Sequence, residues 1–234
     1  MDRHRIVVVG VLVGVMLTAM MTSSAAKPRW KLAPCTIVGT GQGDDLRGTG
    51  VRDVICARGG NDTVQALSGN DIVRGGNGND RLQGDRGDDL LAGGQGNDQL
   101  LGDDGNDRMI GGRGRAAFSG GTGDDRMRGG GLRDSFYPAG GDDLVRAGGG
   151  ADWIWDRRGD DVFRGQGGPD RIQGYGGRDH IYGGAGNDPC LNTYDGKRGD
   201  VIRGNGGFDR YFNDARDFAA GVERRLAFSC ELSS

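Results

Sequence analysis

The sequence predicts an all-β fold: a parallel β-roll or β-helix solenoid of nonapeptide repeats, closed by short terminal caps. Three observations predict it. An Asp returns every nine residues from Asp44 to Asp188, filling sixteen of seventeen slots, with Ala116 as the exception. The residue two places after each slot is apolar in all seventeen units, from Leu46 through Leu82, Leu91, Leu100 and Met109 to Cys190. Gly stands two places before the slot in fourteen of the seventeen, in a chain where Gly supplies 50 of 234 residues. A register held from residue 44 to 188 excludes a disordered glycine-rich linker, and without Gly at every third position the chain is not collagen.

The segments follow in order. Residues 1–26 read as a secretory signal peptide: a charged "MDRHR", an apolar run from Ile6 to Met21, and "SSAA" before Lys27. The run is shorter than the roughly 20 residues a membrane span needs, so a secreted, extracellular protein without stable membrane insertion is expected. Residues 27–39 read as an N-terminal cap, 40–212 as the roll and 213–234 as a C-terminal cap, since solenoids need atypical ends to cover their last coils. Cys35, Cys56, Cys190 and Cys230 all follow the signal segment, an even count that reads as disulfides in an exported chain. Pairs Cys35–Cys56 and Cys190–Cys230 would staple one end each, though four cysteines allow three connectivities.

Within a unit, six turn-like residues such as "GGNGND" use the backbone freedom of Gly. The three that follow, such as "RLQ", place one apolar side chain inward and two outward, as a short strand does. Two units make one coil of a flattened right-handed solenoid with a parallel sheet on each broad side. Strands stacked about 4.8 Å apart over eight or nine coils give a rod on the order of 40 Å long. Such strands bury little apolar surface per ordered residue. Stacking also brings aspartates 18 residues apart together as like charges. A hard divalent cation between turns removes both problems, and a flexible all-oxygen shell of carboxylates and carbonyls suits Ca²⁺ better than Mg²⁺ or Zn²⁺.

"GGNGNDRLQ" (75–83) and "GGQGNDQLL" (93–101) resemble the nonapeptide G-G-x-G-x-D-x-U-x of repeats-in-toxin (RTX, hemolysin-type) calcium-binding proteins. The resemblance covers residues 40–191, with a weaker recurrence at Asp200 and Asp209 after a three-residue insertion. It implies a β-roll, several Ca²⁺ ions held between turns, and folding that depends on calcium. The expected metal ligands are Asp62, Asp71, Asp80, Asp89, Asp98, Asp107, Asp125, Asp143, Asp152, Asp161, Asp170, Asp179 and Asp188. The 18-residue coil sorts the slots onto two edges: Asp62, Asp80, Asp98, Ala116, Asp134, Asp152, Asp170 and Asp188 on one, and Asp71 through Asp179 on the other. The second edge departs from the pattern at its first glycines, in "PAGGDD" and "DRRGDD", which points to weaker or empty sites there.

Outward positions of one sheet carry Arg74, Arg108, Arg126, Arg128, Arg146 and Arg164, a ladder that would suit an anionic polymer, although Arg is simply this chain's default basic residue. Tyr137, Trp153 and Trp155 point outward from the other sheet, where they could stack on sugars or pack against a terminal segment. A polysaccharide or cell-surface partner is therefore the alternative function, alongside calcium itself; no nucleic-acid partner is expected, and the oligomeric state stays open. An enzyme is not expected. The chain after residue 26 has one histidine, His180, which excludes a two-histidine zinc motif, and it has no G-x-S-x-G.

Overall fold

Every unit folds as one strand and one turn, and the strands fall alternately on two sides of a flat coil. The computed structural model describes residues 34–193, 199–212, 218–220 and 224–225. Among them lie two parallel sheets of eleven strands each, one built from the odd-numbered strands in chain order and the other from the even-numbered. No described residue is helical. The register is the 18-residue coil: Val73 pairs with Leu91 and Leu91 with Met109 in the first sheet. Leu82 pairs with Leu100 and Leu100 with Phe118 in the second. Because side chains alternate along a strand, each strand sends one residue inward. The core is therefore two facing columns, one running Val73, Leu91, Met109, Met127 and the other Leu82, Leu100, Phe118, Phe136, all at 2% exposure or less.

Eleven strands per sheet exceed the eight or nine coils expected. The seventeen units give seventeen strands; Ile37–Val38 adds one at the start, and Val201–Gly206, Arg210–Phe212, Phe218–Ala220 and Arg224–Arg225 add four at the end. The roll thus crosses the insertion by lengthening one coil: Ile181 pairs with Ile202, 21 residues on. The ladders also continue into the segment read as the C-terminal cap, where Val201 pairs with Phe218. The signal segment and most of the N-terminal cap lie outside the described residues.

Many strands are longer than the three residues expected. Arg81–Arg86 and Leu90–Gln95 are six residues long, because pairing resumes past the glycine, as at Asp85↔Asp103. Turn amides join the ladder too: Gly78 N–H donates to Gln95 C=O at 2.8 Å and Gly96 N–H to Arg113 C=O at 2.8 Å. One inward position shifts. Ile172 pairs with Leu191, so Leu191 fills the column expected to hold Cys190, one extra residue having been taken up at Pro189.

Cys35 and Cys56 form the expected N-terminal disulfide, with Cα atoms 5.8 Å apart. Cys190 is disulfide-bonded, and its expected partner Cys230 lies outside the described residues. On the outer face of the first sheet Arg128, Arg146 and Arg164 stack in one column, followed by Tyr182 and Arg203. On the second sheet Tyr137 meets Trp153 and Trp155 edge-on at 6.0 and 6.2 Å.

Candidate metal centres along the two coil edges

Between two six-residue strands such as Arg81–Arg86 and Leu90–Gln95 the chain comes round in three residues, and it does so with a buried Asp at the end of the turn. All thirteen aspartates singled out in the sequence are at most 4% exposed. In each of them Oδ1 accepts the backbone N–H of the equivalent residue one coil earlier. Asp80 accepts from Asp62 at 2.9 Å, Asp98 from Asp80 at 3.0 Å, and Asp134 from Ala116. On the other edge Asp89 accepts from Asp71 at 2.7 Å, Asp107 from Asp89 at 2.8 Å and Asp125 from Asp107 at 2.8 Å. The carboxylates therefore form two separate ladders. Each continues beyond the expected list: Asp179 N–H donates to Asp200 and Asp188 N–H to Asp209.

The second carboxylate oxygen is different. Oδ2 of Asp62, Asp71, Asp80, Asp89, Asp98, Asp107, Asp125, Asp143, Asp152, Asp170 and Asp188 is buried and has no hydrogen-bond partner. A buried acceptor left unpaired costs roughly 1–3 kcal/mol, more when charged, so a run of them needs a common explanation. Three ladder aspartates escape the condition. Thr40 and Thr49 donate to Oδ2 of Asp44 and Asp53, and Gly130 N–H to Oδ2 of Asp134 at 2.7 Å.

Under Asp80, Asp89, Asp98, Asp107, Asp125, Asp170 and Asp188 the orphan oxygen sits over a glycine five residues before it, whereas Asp62, Asp71, Asp143 and Asp152 have Ala57, Ala66, Pro138 and Ala147 at that position. A Cβ on Gly75 would collide with Asp80 Oδ2 and lie 2.7 Å from the Gly93 carbonyl oxygen. A Cβ on Gly84 would collide with Asp89 Oδ2 and lie 2.9 Å from Gly102 O; Gly93 and Gly102 repeat the arrangement. The missing side chain leaves a cradle in which a carboxylate oxygen and the carbonyl of the next coil converge. These glycines have ordinary φ angles; they are required by space. The following position takes the left-handed conformation, as at Gly76 (φ 117) and Gly94 (φ 124). There Arg58, Leu67, Asp85, Asp103, Ala139 and Gln166 adopt positive φ as well, so glycine departures at that position leave the turn intact.

Electrostatics sharpens the picture. Burial, with help from the like charges one coil away, pushes Asp89 up from 3.8 to about 7 and Asp125 to about 8; burial likewise takes Asp170 to about 8. Asp161 rises furthest, chiefly through burial, with Asp156 adding to it. A carboxylate so raised is short of positive partners. Among the described residues no three His, Cys, Asp or Glu side chains converge as a ready metal cluster, so a cation here would draw most of its shell from backbone carbonyls. Orphan carboxylate oxygens, carbonyls and the absence of soft donors fit a hard cation of the Ca²⁺ type.

Asp156 was not anticipated. It occupies the glycine position of the Asp161 turn and is 1% exposed. Its Oδ1 accepts Ala139 N–H at 2.8 Å and its Oδ2 accepts Arg158 N–H at 2.7 Å. Its signal in the sequence is the "DRRGDD" departure, which marks a changed turn without saying what fills it.

A protein-family model described as RTX calcium-binding nonapeptide repeat (4 copies) matches the chain in overlapping stretches at residues 38–73, 57–91, 83–116, 101–136, 119–154, 137–170 and 157–188. No curated protein matches it significantly.

Proposed function

The chain belongs to the RTX calcium-binding nonapeptide repeat family, matched across residues 38–188, and from that premise we propose that it is a secreted, non-enzymatic calcium-binding protein whose roll folds around several Ca²⁺ ions. The ligand oxygens come from the aspartates of the two edges, drawn from Asp62, Asp71, Asp80, Asp89, Asp98, Asp107, Asp125, Asp143, Asp152, Asp161, Asp170, Asp179 and Asp188, with turn carbonyls completing each shell. The observation that carries the reading is the repeated orphan Oδ2 over a glycine cradle. Calcium supplies the positive charge that the buried ladders lack. An extracellular setting provides millimolar calcium, so ion binding and folding would coincide outside the cell. Circular dichroism of the full chain with chelator and with excess Ca²⁺ tests this: the β-sheet signal should grow on calcium addition, and equal signals in both would end the proposal.

One observation favours a second role, binding of an anionic polymer. The column Arg128, Arg146, Arg164 and Arg203 is interrupted only by Tyr182, over whose ring the last two guanidinium groups sit at 5.3 and 5.6 Å. Among the described residues the ion pairs are Arg86–Asp104 and Arg178–Asp160; neither involves this column. A row of like charges without acidic partners favours a polyanion. Titration of calcium-loaded protein with polygalacturonate should show salt-sensitive binding, weakened when Arg146 and Arg164 are replaced by Gln; no binding at low salt would remove this role.

A further inference from the structure

We propose that calcium does not run the length of the rod but falls in two blocks, Asp80 to Asp125 and Asp170 to Asp188, on either side of a waist that stands without metal. The proposal rests on the calcium reading above and refines it. Its basis is the state of the cradle in each coil. Under Asp80, Asp89, Asp98, Asp107 and Asp125 the cradle residue is Gly, and again under Asp170 and Asp188. Between the blocks the position is filled under Asp143, Asp152 and Asp161, by Pro138, Ala147 and Asp156, while over Gly129 the Asp134 oxygen is taken by the Gly130 N–H. Ala147 and Asp156 are at most 1% exposed, so their side chains take up the space that glycine leaves open elsewhere.

At two of its carboxylates the waist also answers its own polar groups. Asp134 receives backbone N–H groups at both oxygens, from Ala116 and Gly130. Asp156 is bonded at both oxygens too; it places a carboxylate inside the cradle and ties it to two amides of the chain. Asp143, Asp152 and Asp161 each keep an oxygen without a donor here, over a cradle already filled by Pro138, Ala147 and Asp156.

Packing compensates at the same place. Phe118 and Phe136 stack at 4.5 Å and 7° inside the coil, and Phe163 is fully buried on the opposite column. These three are the bulkiest fully buried side chains among the described residues. Outside, Tyr137, Trp153 and Trp155 pack edge-to-face on the second sheet. Aromatic burial contributes strongly per residue, and here it takes up cradle space as well: ring atoms of Phe118 and Phe136 lie 3.0 Å from where a Cβ on Gly111 or Gly129 would sit. Two calcium-dependent segments thus flank a metal-independent aromatic section.

Hydrogen–deuterium exchange of the full chain, in chelator and then in rising Ca²⁺, reads this directly. Amides of about residues 129–163 should be protected in chelator, while those of 75–110 and 165–190 gain protection only as calcium is added. Equal loss of protection in all three segments overturns the waist and leaves calcium binding standing. No response to calcium anywhere overturns both. As a second readout, Ala147→Gly opens a cradle beside Asp152 and should raise the calorimetric calcium count by one; a count no higher than that of the unaltered protein counts against the proposal.

Discussion

Replacing Asp89 by Asn should shift stability in opposite directions with and without calcium. Asn keeps the acceptor that Oδ1 offers to Asp71 N–H at 2.7 Å, so the turn geometry survives. In chelator, the wild-type side chain carries a charge that burial resists, with its carboxyl pushed up to about 7 from 3.8. At 1.36 kcal/mol per unit, ionising it above neutral pH costs an upper bound of about 4 kcal/mol, which Asp89→Asn removes. In saturating calcium the balance reverses once the ion is present at about a 10,000-fold excess over its Kd, where it contributes about 5.5 kcal/mol through that site and outweighs the charge term. The net loss of about 1.5 kcal/mol lowers Tm by about 3–6 °C for a domain of this size. Thermal melts followed by circular dichroism, in chelator and in saturating Ca²⁺, give both numbers. A variant that is more stable, or less stable, in both conditions would refute the assignment of Asp89 to a cation.

Gly84→Ala should lose calcium affinity with no carboxylate removed, since its methyl would lie 2.9 Å from Gly102 O against an ordinary contact of 3.4 Å or more and collide with Asp89 Oδ2; Gly50→Ala, with nothing within 4 Å, should titrate like wild type by calorimetry. The pH dependence should also invert with calcium. Carboxyls raised to about 7 and 8 at Asp89 and Asp125 hold the metal-free roll together below about pH 4 and release that stability as pH rises through about 8. With calcium present, protons compete with the ion, so stability should climb across the same window; chemical melts at stepped pH would show the two slopes, and parallel slopes would count against them. Phe136→Ala should cost about 3–5 kcal/mol by chemical denaturation, because Phe136 is fully buried and stacked on Phe118. Reducing the Cys35–Cys56 bridge, which spans 21 residues, should cost about 3 kcal/mol by the same assay.

The sequence made the period, the inward column and the two edges legible because one Asp, one apolar residue and one Gly recur at fixed offsets. The rest depended on contacts between coils. Six-residue strands arise from pairing of turn residues such as Asp85 with Asp103, which no single unit reveals. Leu191 displaces Cys190 from the column because one extra residue at Pro189 is absorbed locally, while the Asp ladder keeps its own count. Glycine carries two meanings that composition cannot separate. At Gly84 it leaves room for an oxygen, whereas at Gly76 it supplies a positive φ that Arg58 and Gln166 also adopt elsewhere. Departures at the second kind of position looked damaging in the sequence and are tolerated in the fold. Asp156, at the first kind, changes the chemistry of the coil.

The hydrogen bonds along each Asp ladder all point one way: the amide of an earlier coil donates to the carboxylate of a later one. The rod therefore has a polarity, and its two ends are unequal. Trimming coils from the N-terminal end uncovers carboxylate oxygens, which water or a cation can serve. Trimming from the C-terminal end instead uncovers backbone N–H groups, which water can accept from but a cation cannot serve.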